Sequence, residues 1–129
     1  MSTKANISKA TDQKEQTVLT MAVVRAAGRL GITNRKLSTV IGISPSSVSR
    51  ISASGDGFCL TKNSKEWELG VLFVRMFRSL DAITGDSGTY AWLNSENHAF
   101  GCRKPIDIID STEGLVHVCN YLDAHRGVI

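Results

Sequence analysis

Several features that would assign a function quickly are missing from this chain. Its three cysteines, Cys59, Cys102 and Cys119, are odd in number and form no C-x-x-C pair. A disulfide framework or a zinc site is therefore not expected, and the thiols read as reduced ones in a cytoplasmic protein. No apolar run approaches the ~20 residues that a membrane span needs. The opening MSTKANISKATDQKEQ is polar throughout, unlike a signal peptide. There is no glycine-rich phosphate loop and no nucleophile motif. His98, His117 and His125, with Asp107, Asp110 and the cysteines, supply residue types for metal or acid–base work. However, His117 and His125 lie eight residues apart, which turns them about 80° from each other on a helix, a poor match for a metal pair. The chain is accordingly expected to be neither an enzyme nor a holder of a cofactor or metal.

What remains is a small folded protein of 129 residues, 42% hydrophobic and 21% charged. Its charge is unevenly placed. Residues 1–65 carry ten Lys/Arg against three Asp/Glu, a balance of +7; residues 66–129 carry five against nine, a balance of −4, and the two sum to +3. A basic half suits a polyanion, and an acidic half suits some other partner.

The same division runs through the apolar pattern. Residues 1–13 are polar, lack periodicity and are expected to form a mobile tail. From Val18 onward, Leu19, Ala22, Val23, Ala26 and Leu30 mark one face of a helix, which Gly31 stops and after which Thr33 can cap the next. In LSTVIGISPSSVSRI, Leu37 and Ile41 share the face of one short helix, and Val48 and Ile51 share that of a second. Gly42 between them can take the left-handed conformation of a sharp turn. Ser44 can cap the second helix, with Pro45 at its first position. This is the helix-turn-helix pattern, in which the second helix enters the major groove. The residues placed to meet DNA are Arg35, Lys36, Ser44, Ser46, Ser47, Ser49 and Arg50. The serines and Arg50 suit base edges or phosphates, and Arg35 and Lys36 suit the backbone unless they form only a solvated helix end.

ASGDGFCLTKN then reads as a connecting loop. A long helix over 64–83 follows, which Ser64 can cap, with two apolar stripes: Trp67, Val71, Val74 and Phe77 on one, and Leu69, Leu72, Phe73, Met76, Leu80 and Ile83 on the other. Such a helix is buried on most of its circumference. It either serves as a central core helix or lends one stripe to a homodimer. GDSG at 85–88 breaks the chain. Pro105 opens a short helical turn, and the segment from Ser111 forms a last helix with Leu115, Val118, Cys119 and Leu122 on one face.

The final forty residues resemble the toxin-binding domain of the Xre/MbcA/ParS antitoxin family. The matching features are Ala91-Trp92-Leu93, Asn97, Ala99-Phe100-Gly101, Pro105 with Ile106-Asp107-Ile108-Ile109, Gly114, and an apolar helix ending at Gly127. Cys102 stands where the family usually has a second glycine. The resemblance implies an all-α protein, a helix-turn-helix domain followed by a small helical toxin-binding domain, divided as 1–13, 14–63 and 64–129. It further implies an antitoxin that covers the active site of a RES-domain toxin acting on NAD and binds its own promoter as a repressor. Toxin contacts would then fall among Trp92, Asn97, His98, Phe100, Arg103, Lys104, Pro105, His125, Arg126 and Ile129. The competing expectation is a stand-alone regulator whose C-terminal domain only dimerises or senses a ligand.

Overall fold

A computed structural model describes residues 3–53 and 58–126, and among these residues all regular elements are helical. In chain order they are α1 (Thr3–Leu30), α2 (Asn34–Ile41), α3 (Pro45–Ala53), α4 (Lys65–Thr84), α5 (Thr89–Leu93), a 3₁₀ turn (His98–Phe100), α6 (Pro105–Ile108) and α7 (Thr112–Arg126). The polar segment expected to be a tail is thus helical from Thr3 on. One of its carboxylates is engaged: Lys62, beyond α3, pairs with Asp12 at 3.2 Å, and with Glu15, just past the segment, at 2.7 Å. Residues 54–57 of the expected connecting loop lie outside the described residues.

Local sequence sets the helix ends. At the end of α1, Gly31 takes φ 70°, its N–H donates to Gly28 O, and the Ile32 N–H reaches back to Ala27 O. These two bonds satisfy carbonyls the helix would otherwise strand, and Ile32 buries beside them. Thr33 caps α2 by accepting from the Lys36 N–H, and Ser64 caps α4 by accepting from that of Trp67. Gly42 ends α2 at φ 75°, as the turn requires. One turn device was not foreseen: the Ser38 hydroxyl donates to Ile43 O at 2.6 Å and ties α2 across the turn.

One core runs through the whole molecule, because α4 packs on α1, α2, α5 and α7. Val23, Ala26 and Leu30 of α1, Leu37 and Ile41 of α2, Val48 of α3, and Leu115, Val118 and Leu122 of α7 all bury against it. Each such aliphatic side chain withdrawn from water contributes about 1.5–3 kcal/mol before entropy is charged. The two stripes of α4 have different fates. Of the second, Leu69, Phe73, Met76 and Leu80 are buried and only the terminal Ile83 is exposed, whereas of the first Val74 is buried and Val71 stays 43% exposed. Gly70 permits the close approach to α1, since a Cβ there would meet Val23 and Leu60 at 3.3 and 3.2 Å. Cys119 also lies in this core. Burial pushes its thiol up to about 11, and it donates to Leu72 O, so it behaves as a packing residue.

The α4–α7 seam carries a polar cluster. Asp123 accepts from the buried Ser79 hydroxyl at 2.7 Å and pairs with Arg75, and Arg126 reaches Ser79 from the other side. The Ser79 hydrogen bond lowers the Asp123 carboxyl below its ordinary 3.8; partial desolvation opposes this, and Arg75 and Arg126 reinforce it. A depressed carboxylate stabilises the fold fully above its unfolded value and loses that contribution as pH falls through the folded one. Acid unfolding should therefore be gentler in Asp123→Asn than in the native chain below about pH 4. The check is urea midpoints between about pH 6 and 3, where wild type and variant should converge at the acid end.

Candidate functional site

Two surfaces form at opposite ends of the sequence. On the first, α3 turns Val48 and Ile51 into the core and leaves Ser46, Ser49 and Arg50 exposed, with Ser47 half-buried. Not all the expected contacts are equally available. The Ser44 oxygen accepts from the Ser47 N–H at 3.1 Å and bonds the Ser46 and Ser47 hydroxyls, so its first task is to cap α3. Arg50 lies over the Phe58 ring, 4.1 Å from its centroid, a contact that holds the guanidinium near the helix end. Arg35 is exposed at the start of α2. Lys36 departs from expectation. Its ammonium is held by both Asp110 oxygens at 2.9 and 3.0 Å and by Ile106 O at 3.4 Å, in the C-terminal half. A cation so engaged is not presented to phosphate alongside Arg35.

The second surface is built on a tight hairpin. The Asn97 N–H donates to Arg103 O, Asn97 O accepts from Cys102 and Phe100, and the Asn97 side chain caps the 3₁₀ turn through the Ala99 N–H. Gly101 and Cys102 follow in left-handed conformation, φ 66° and 63°. That explains why a glycine would suit position 102: a Cβ in this region costs on the order of 1 kcal/mol. Asn97 is therefore a structural residue here. So are Pro105, which is buried as it opens α6, and Phe100, 6% exposed. Phe100 packs edge-on to Trp92, Tyr121 and His117 at 6.1, 5.0 and 5.2 Å, while Trp92 stacks on Tyr121 and the His125 ring lies tilted against Tyr121. Of the expected contacts, His98, Arg103, Lys104, His125 and Arg126 are exposed, Trp92 is half-buried, and Ile129 lies outside the described residues. Arg126 points towards α4, not towards the hairpin.

Tyr121 was missed by sequence reasoning, although a signal existed. His117, Tyr121 and His125 recur every four residues and so share one face of α7. The acidic balance of this half was read from sequence, but not the groove in which its carboxylates meet. A groove of about 670 Å³ opens between the 3₁₀ turn, α6 and the start of α7, and its walls carry Asp107, Asp110, Glu113, Arg103 and His117. Among the described residues no group of His, Cys, Asp or Glu is arranged to hold a metal ion, and no helix is long and apolar enough to cross a membrane. A second groove, of about 600 Å³, lies between α1 and α4. Val18, Leu19, Ala22, Trp67, Val71 and Val74 line it, so the first stripe of α4 is left partly open.

A helix-turn-helix joined by a shared core helix to a compact hairpin-and-helix unit defines a protein with two binding faces. The antitoxin Xre-like helix-turn-helix domain family matches residues 10–75, just over half of the 129-residue chain. The antitoxin Xre/MbcA/ParS C-terminal toxin-binding domain family matches residues 79–127. The chain belongs to the Xre/MbcA/ParS antitoxins of toxin–antitoxin systems, and both matched domains are binding domains of a non-enzymatic kind. No curated protein matches it. Among solved structures, a chain of the M. tuberculosis MbcT–MbcA toxin–antitoxin complex is similar at TM-score 0.63 and 25% identity, over 87% of this chain and 97% of that one.

Proposed function

We propose that this antitoxin neutralises a RES-domain toxin acting on NAD and represses its own promoter, working as a homodimer. The reading assigns residues 14–63 to DNA and 64–129 to the toxin, although both draw on one core. The observation that carries the DNA part is the exposure of Ser46, Ser49 and Arg50 on an α3 whose Val48 and Ile51 are buried. Two such helices in a dimer would enter major grooves roughly 34 Å apart. The half-open apolar groove between α1 and α4, with Val18 61% exposed, supports a second copy there. For the toxin, the similarity of this fold to a chain of a toxin–antitoxin complex supports the pairing, and the exposed His98, Arg103, Lys104 and His125 ring the aromatic stack that would anchor it.

The test is co-purification with the product of the adjacent gene, followed by NAD consumption by that product with and without this chain. Tight association that suppresses NAD loss and is abolished by deleting residues 89–129 is the expected result. Promoter binding without association would leave a stand-alone regulator. On the promoter, Arg50→Ala should cost about 1–3 kcal/mol if Arg50 pairs with a guanine; a loss equal on all sequences would assign it to phosphate.

A further inference from the structure

The Lys36–Asp110 bridge joins the two faces of the molecule. Lys36 sits in the first turn of α2, beside the exposed Arg35, and its side chain is only 24% exposed because α6 and the residues after it hold the ammonium. Asp110 is 41% exposed and is at the same time a wall of the acidic groove, whose lining holds three carboxylates, Asp107, Asp110 and Glu113, and one guanidinium, that of Arg103, so that one negative charge remains in surplus even with Lys36 on Asp110. A groove with this surplus of negative charge fits a cationic side chain from a partner. An exposed carboxylate can exchange one cation for another cheaply, since ion pairs of this kind are worth little net free energy.

We propose that a basic side chain of the toxin enters the acidic groove and competes with Lys36 for Asp110, releasing Lys36 to the DNA backbone. Toxin binding then adds one phosphate contact per protomer and tightens DNA binding, and DNA in turn favours toxin. The proposal rests on the antitoxin reading above and names the partner's chemistry and the coupling of the two sites.

Full-length wild type, Lys36→Ala and Asp110→Asn are compared on the duplex upstream of the gene, across a salt series, with and without the adjacent gene product. Toxin-free Asp110→Asn should bind DNA about fivefold tighter than toxin-free wild type. Its log K against log salt slope should be steeper by about 0.9 per protomer. Lys36→Ala should gain nothing on DNA from the toxin. Measured without DNA, Lys36→Ala should bind the toxin about fivefold tighter, because its competitor for Asp110 is gone, while Asp110→Asn binds it more weakly. A merely structural bridge would weaken toxin binding in both variants, and that result overturns the proposal. So does wild-type affinity and salt slope on DNA for Asp110→Asn. If no form binds the duplex or the gene product at all, the antitoxin reading itself fails and takes the coupling with it.

Discussion

Gly114→Ala should destabilise the protein by about 3 kcal/mol or more, lowering the thermal midpoint by roughly 10 °C. A Cβ at this position would lie 2.8 Å from Ile108 Cγ2 and overlap the Ile108 carbonyl oxygen. The obstacle is backbone, so it cannot rotate aside as a side-chain tip would. The first turn of α7 sits directly on α6, and Ser111 caps it by accepting from the Gly114 N–H at 3.0 Å. Forcing the two apart would open the acidic groove and unseat Asp110. The matched control is Gly28→Ala. Gly28 also lies within a helix, but nothing stands within 4 Å of its hypothetical Cβ. There alanine should stabilise by about 0.5–1 kcal/mol, through lower backbone entropy in the unfolded chain. Circular-dichroism melts of both variants check the pair, and shifts of the same sign would contradict this packing.

Phe73→Ala should cost about 3–5 kcal/mol, a large share of the 5–15 kcal/mol typical of a small protein. Phe73 is fully buried in the middle of α4, the helix on which α1, α2, α5 and α7 all pack. Ile83, ten residues on in the same helix and outside the α1–α4 groove, is 43% exposed, and its truncation should change stability by no more than about 0.5 kcal/mol. The shape of the urea transition matters as much as its midpoint. A shared core predicts one cooperative transition in which the DNA face and the toxin face are lost together. Two separated transitions, with one half still folded after Phe73 is truncated, would mean the halves are independent.

The helix-turn-helix was legible because its signals are local. Gly42, Ser44 and Pro45 set the turn and the start of α3, and apolar spacing of three and four sets which side of each helix is buried. The breaks at Gly31 and Gly85, the caps at Thr33 and Ser64 and the short helix opened by Pro105 were legible for the same reason. The helical N-terminal segment was not. Its polar residues show no periodic face, and the partner of Asp12 and Glu15 is Lys62, some fifty residues further on.

For the binding faces the limit was also distance along the chain. Sequence by itself determined which residue types lie on α3 and in the C-terminal hairpin, because backbone conformation and apolar period assign a residue to a face from its near neighbours. Only the tertiary structure decided their roles. It turned Phe100 inward onto Tyr121 and gave Lys36 to an Asp110 that lies 74 residues away. Gly28 and Gly114 likewise read alike as letters, and only the packing of α7 on α6 makes one dispensable and the other essential. Contacts between distant segments depend on how helices pack, and no local pattern encodes which side chain will be waiting on the other side.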